Sequence, residues 1–222
     1  MGRSGYILGS WRQPSGKWQM YDESIRVPFL AAGPGIEAGG SSSMMISNVD
    51  WAPTIVDLLG GDSVAAGFDG KSFAHELTGG LVGGKAFDAR GGAFREASLI
   101  EYWGLGHVLR GAPGTPECGP REGVCAPGCD CHLHLVDTPN NTYLGVRLHN
   151  DSLDVSYAAF YPDNLDSKLE QQPYFFELYD VAADPYQLKN LAVNPSPANR
   201  ALMDELQTYA RGQFGCKGAS CA

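Results

Sequence analysis

The clearest hydrophobic pattern in this chain lies in its second half. Four runs carry the β-branched and aromatic content of strands: SLIEYW (98–103), TYLGVRLH (142–149), VSYAAFY (155–161) and YFFELYD (174–180). Polar or proline-bearing turns separate the last three, and short connections of this kind predict an antiparallel meander. The aromatic residues of these runs, Tyr143, Tyr157, Phe160, Phe175 and Tyr179, could form a sugar-stacking platform. They are read instead as core, because aromatics are ordinary strand residues. A helical period follows from about Pro197 to Arg211, with Ser196 as cap, Pro197 in the first position and Gly212 as the stop. Leu202, Leu206 and Tyr209 form its apolar stripe, which should pack on the meander.

The first half is more broken. From Ile25 to Ala32 the run IRVPFLAA has the apolar density of a buried strand, ended by Gly33-Pro34-Gly35. Ahead of it Pro14-Ser15-Gly16 makes a turn, and Lys17 follows at once beside Trp18 and Tyr21. This predicts a lysine held near one edge of a sheet by aromatic neighbours. Arg26 is expected to pair with Asp22 or Glu23. Asp50 to Gly60 reads as a helix with Asn48 or Asp50 near its cap and Pro53 in its first turn. Ile55, Leu58 and Leu59 share a face that should cover a sheet, while its aspartates are caps and surface charges. Phe68 to Phe73 is a turn feeding a short helix that includes Phe73 and Leu77, and the glycine-rich span 79–94 is a flexible loop or a boundary.

With 222 residues, 43% of them hydrophobic, the chain can build a core. Its net charge of −9 argues against nonspecific binding to nucleic acid or to anionic membranes. No apolar run reaches the roughly 20 residues that span a bilayer, and the N-terminus lacks a signal-peptide core. The cysteines point elsewhere. Cys118, Cys125, Cys129, Cys131, Cys216 and Cys221 are an even set in a glycine- and proline-rich loop and at the C-terminus, which favours disulfides and an oxidising compartment. Asn140 and Asn150 begin glycosylation triplets and agree with that. Export-type features without an export signal predict sequence ahead of Met1.

Cys125, Cys129, Cys131, His132 and His134 are also potential zinc ligands. The single residue between Cys129 and Cys131 fits no pair-plus-pair site, so disulfides are preferred, with zinc the alternative and the connectivity open. His75 and His107, like His132, His134 and His149, are expected to be structural or exposed.

The order Gly5-Tyr6-x-Leu8-Gly9, Lys17-Trp18-x-x-Tyr21-Asp22-Glu23, Ile25-Arg26-Val27-Pro28-Phe29 and Gly33-Pro34-Gly35-Ile36 resembles the sulfatase family, in its arylsulfatase and glucosamine-6-sulfatase branch. A second stretch agrees in order: Glu177-Leu178-Tyr179-Asp180, Asp184-Pro185, Asn190-Leu191, with Gln187 where the family has Glu. The resemblance implies that Lys17 binds the sulfate group, a role that suits a compact ammonium. It also implies calcium in the complete enzyme. Here, however, the family's calcium-binding Asp and His/Asn are replaced by Arg3 and Ser4, and a guanidinium cannot ligate a cation that takes oxygen donors. The Cys-x-Pro-Ser-Arg nucleophile motif is absent, Cys118-Gly119-Pro120-Arg121 being its nearest string.

What the resemblance implies is therefore an α/β chain: the C-terminal part of an alkaline-phosphatase-like sulfatase fold. Residues 1–97 would be the incomplete end of the large mixed-sheet domain. Residues 98–222 would be a small antiparallel-sheet subdomain with a C-terminal helix and a cysteine-rich loop at 104–140. The expected function is hydrolysis of aryl or sugar sulfate esters by a complete, secreted or lysosomal protein. This chain is expected to be inactive alone, to bind no calcium, and to expose apolar surface that favours association. The alternative is a non-catalytic remnant or a carbohydrate- or partner-binding module.

Overall fold

The computed structural model describes residues 7, 10, 17–79, 81–82, 85–86, 94–104, 139–163 and 169–221. Its centre is a four-stranded antiparallel sheet in the order β3 (Ala97–Tyr102), β4 (Thr142–His149), β5 (Asp154–Tyr161), β6 (Phe175–Asp180). This is the expected meander, with each strand within about two residues of its apolar run. Val146 of β4 lies opposite Leu99 on one side and Tyr157 on the other, and Tyr157 lies opposite Leu178.

The two faces of the sheet are covered by different things. On one, Leu144, Val146, Val155, Tyr157, Ala159 and Leu178 form the main core with α4 (Pro197–Gln213). Leu206 and Ala210 of the helix are buried there, and Leu202 and Tyr209 pack beside them. Ser196 caps α4 as its sequence predicts, its hydroxyl accepting from the Asn199 N–H at 3.1 Å. The helix runs through Gly212, however. The left-handed residue that follows its end is Gly215, at φ +71°. Tyr157 and Tyr161 are buried on this face and share Gln207, which accepts from Tyr157 at 2.7 Å and donates to Tyr161 at 2.9 Å.

The other face receives the segment around α1 (Asp22–Ile25). Gly145, Ser156 and Ala158 leave a trough there, Gly145 lying opposite Ala158 across β4 and β5. Met20, 2% exposed, lies in it with Tyr143 and Phe160. A Cβ on Gly145 would stand 2.5 Å from the Met20 sulfur. Small residues on adjacent strands are what lets a second layer of chain approach so closely.

Three expectations fail in the first half. Ile25–Ala32 is not a strand beyond the end of α1: 26–32 has no regular structure, and Leu30 is 94% exposed. A strand needs a neighbour to take its ladder bonds; none of the described residues does so, and Pro28 lacks a donor. Helix α2 (Trp51–Leu58) forms as expected but buries Pro53, Thr54 and Asp57, leaving Ile55, Leu58 and Leu59 exposed. Its apolar face therefore covers no sheet among the described residues. Arg26 is exposed and pairs with neither Asp22 nor Glu23 among the described residues; Glu23 is exposed too, and Asp22 is bound instead by Arg147 at 2.9 Å.

The buried side of α2 is polar yet satisfied. Asp50 is fully buried, closes a capping box with Ser47, accepts from the Lys71 N–H at 2.8 Å and pairs with Arg95 at 2.6 Å. Asp57 accepts from both the N–H and the hydroxyl of Ser63, each at 2.9 Å. The aspartates of this helix are thus structural, but they are buried and not the surface charges expected of them, because Ser47, Lys71, Arg95 and Ser63 satisfy their oxygens. Gly70 lies so close to Val49 that a Cβ would meet its carbonyl oxygen at 2.2 Å. Phe73 caps α3 (Ala74–Thr78) and meets Phe29, Trp51 and Phe94 edge-on. Two-residue strands β1 (Leu81–Val82) and β2 (Lys85–Ala86) pair antiparallel beyond it. Cys216 and Cys221 are bridged, and the Gly218 N–H donates to Asp69 at 2.5 Å, which ties the tail to the Asp69-Gly70 turn.

Candidate functional site

Lys17 is exposed at the start of the segment that docks on the small sheet. Everything that follows it is fastened. Trp18 offers its carbonyl to Asn141 Nδ2 at 3.3 Å. Met20 fills the Gly145 trough. Tyr21 packs on Tyr179, ring centroids 5.8 Å apart, with the hydroxyls 3.4 Å from each other. The Asp22 N–H donates to Gln187 Oε1 at 2.7 Å, and its carboxylate receives two bonds from Arg147, at 2.9 and 3.3 Å. Lys17 thus lies by the end of the sheet where β4 and β6 begin, held by contacts far away in sequence.

Arg147 is the hub of this attachment. Its guanidinium pairs with Asp22 and, at 2.5 Å, with Asp154, and it also donates to the Leu148 and Val155 carbonyls. Burial alone would lower it, but the hydrogen bonds and charges of the two aspartates outweigh burial and hold it raised. His149 stands 3.4 Å from Asp154 at the rim of the same group. Gln187, in the left-handed region at φ +53° and 4% exposed, brings its carboxamide oxygen to the Asp22 N–H. An amide oxygen accepts there as a carboxylate oxygen would, so the replacement of the family's Glu leaves this bond possible.

A shallow hollow of about 310 Å³ opens two residues beyond Lys17, lined by Gln19, Asn141, Phe160, Tyr174, Phe175 and Glu177, with Asn140 at its rim. Tyr174 donates to the Asn140 carbonyl at 2.9 Å, closing one side. Burial pushes the Glu177 carboxyl up to about 7, and a hydrogen bond with Tyr179 acts in the opposite direction. Tyr179 is itself raised, by burial first and then by the nearby Glu177 carboxylate. The larger hollow, of about 430 Å³ beside Pro195 and Arg200, sits at the start of α4 on the opposite side of the sheet.

Of the residues singled out by sequence as candidate site residues, Lys17, Arg26, His75, Asn140, His149, Asn150, Cys216 and Cys221 are described. Arg3, Ser4, Cys118, Cys125, Cys129, Cys131, His107, His132 and His134 lie outside the described residues. Asn150 is occupied: its carboxamide accepts from the Ser152 and Leu153 N–H groups and donates to Glu96 at 3.0 Å. Asn140 is exposed. Sequence reasoning missed Arg147, Gln187 and the trough, although the small residues Gly145, Ser156 and Ala158 at alternate positions were its available signal.

Among the described residues no group of three or more His, Cys, Asp or Glu side chains comes together. The half-buried Asp22 and the buried Asp50 and Asp57 are already engaged by Arg147, Arg95 and Ser63.

An antiparallel meander backed by one helix and faced by a lysine-bearing segment is the C-terminal module of a sulfatase fold. A solved structure described as BT4656 in complex with its substrate D-glucosamine-2-N,6-O-disulfate superimposes with a TM-score of 0.55 at 23% identity, over 93% of this chain and 33% of that one. Residues 13–88 match the family N-sulphoglucosamine sulphohydrolase, C-terminal. N-acetylglucosamine-6-sulfatase of Bos taurus is 32% identical over 218 residues, 98% of this chain and 34% of its own length. The arylsulfatase of Chlamydomonas reinhardtii is 29% identical over 99% of this chain and 30% of its own length. Over almost its whole length the chain is similar to members of the sulfatase family, and it spans about a third of the length of the curated relatives it matches.

Proposed function

We propose that this chain is the C-terminal part of a sulfuric ester hydrolase acting on sugar sulfates, and that Lys17 contacts the sulfate group. The observation that carries this is the fastening of the Lys17 segment. Five contacts seat residues 18–22 on the sheet beside an open hollow, more anchoring than a solvated lysine requires. A fixed ammonium can neutralise sulfate oxygens and the charge that develops on the leaving oxygen. Two relatives whose names or titles specify glucosamine favour a sugar over an aryl ester.

The chain by itself lacks the Cys-x-Pro-Ser-Arg nucleophile, and the described residues offer no calcium site. Lys17 alone cannot open a sulfate ester, since the nucleophile and the cation carry most of such a barrier. Residues 1–97 belong in this reading to the catalytic domain and 98–222 to the small subdomain. The Cys216–Cys221 bridge favours an exported protein, and no described helix is long and apolar enough to cross a membrane.

The test is the affinity of the purified chain for N-acetylglucosamine 6-sulfate. Lys17→Ala should weaken it about tenfold, the loss of one charge-assisted contact. Unchanged affinity would reject Lys17 as the sulfate contact. Turnover of 4-methylumbelliferyl sulfate by the chain alone would reject its inactivity.

A further inference from the structure

Glu177 is a half-buried acid, hydrogen-bonded with Tyr179, that the anchoring of Lys17 does not use. It stands on the sheet face that carries the Lys17 segment, and no cation pairs with it among the described residues. A carboxylate in that position is costly unless it keeps its proton or meets a donor. Burial raises it to about 7, so slightly above neutral pH it stands largely as a carboxylate that no cation offsets among the described residues. The hollow it lines also has an aromatic wall: Phe175 is 43% and Tyr174 57% exposed, although the neighbouring Tyr143, Phe160 and Tyr179 are buried. Two carboxamide-bearing residues, Gln19 and Asn140, also line it. An apolar wall, neutral polar groups and an acid without a cation suit a ligand with an apolar face and many hydroxyls but no negative charge.

We infer that the hollow beside Lys17 is a subsite for an uncharged pyranose ring, placed next to the sulfate-bearing position. Phe175 lies against the ring's apolar face, the Gln19 and Asn140 carboxamides meet its hydroxyls, and Glu177 turns away rings that carry a carboxylate or a second sulfate. The volume of about 310 Å³ holds one ring. Its place in a substrate rests on the reading of Lys17 as the sulfate contact; its occupancy does not. The subsite and an N-glycan on Asn140 exclude each other, because the glycan would leave from the rim of the hollow.

The experiment measures binding of two unsulfated probes, methyl N-acetylglucosaminide and methyl glucuronide, to the full chain at pH 7.5 by ligand-observed NMR. The N-acetylglucosaminide should bind about tenfold or more tightly than the glucuronide, the scale of one close like-charge pair at a protein surface. Phe175→Ala should weaken it about tenfold. Glu177→Gln should bring the glucuronide up to match the N-acetylglucosaminide, which a purely structural Glu177 would not do. Lys17→Ala should leave the preference intact, so that failure of the sulfate reading and failure of the subsite are told apart. Equal binding of both probes by the unaltered chain, a preference that survives Glu177→Gln, or a glycan mass on Asn140 would each overturn the subsite.

Discussion

The small sheet and the segment around α2 solve the same problem in opposite ways. In the sheet, β5 is buried on both faces from Val155 to Tyr161, with α4 on one side and Met20 on the other. Around α2 the pattern is inverted: Asp50, Thr54 and Asp57 are buried, whereas Leu59 is 83%, Val64 73% and Leu30 94% exposed. The sheet carries its own core, whereas the α2 region is held by buried polar bonds and the ring cluster of Phe29, Trp51, Phe73 and Phe94 while Ile55, Leu58 and Leu59 stay exposed. What a residue contributes here depends on which region it stands in, more than on how apolar it is.

That contrast can be broken at several points. The largest effect is expected for Arg147→Ala, which leaves Asp22 and Asp154 without their shared cation and should cost about 3 kcal/mol in chemical denaturation. Glu177→Gln should act with pH. The folded carboxyl, raised to about 7, holds its proton through a window that begins near the ordinary value of 4.5. Its burial therefore costs nothing below about pH 4, costs progressively more as pH rises, and costs most above 7. The variant should gain roughly 2–3 kcal/mol over the parent at pH 8 and nothing at pH 4. Stability curves that stay parallel between these pH values would contradict the burial.

Gly145→Val comes next. The trough has no room for the new methyl groups, so Met20 must leave, at about 2 kcal/mol and with faster amide exchange at Met20 and Asp22. In the α2 region the far larger change of Leu30→Ser or Leu59→Lys should move stability by less than about 0.5 kcal/mol. Both variants should lower self-association of the chain, read by sedimentation. A parent chain that is already a monomer with a sharp melting transition would remove that part of the contrast.

Legibility in the sequence follows the same division. The four strands and α4 are readable because each contains its own apolar period, turn signals and cap, and because their partners lie within the chain. The failures sit where partners are distant or missing. IRVPFLAA has strand composition but no ladder partner among the described residues, and the apolar face of α2 predicts a sheet that the described residues do not supply. Arg26 and Asp22 are close in sequence, yet Asp22 is taken by Arg147, 125 positions away. Lys17 was recognisable from the residues around it; its attachment through Gln187, Arg147 and Gly145 was not, because nothing local requires it. Glu177 reads as one member of a strand motif, and only its burial beside a hollow marks it as more.

The most direct test of the account is a crystal structure of the chain with N-acetylglucosamine 6-sulfate. The account predicts the sulfate within hydrogen-bonding distance of Lys17 Nζ, with residues 18–22 seated on the sheet. A ligand bound beside Pro195 and Arg200 at the start of α4, or a Lys17 segment lifted from the Gly145 trough, would contradict it.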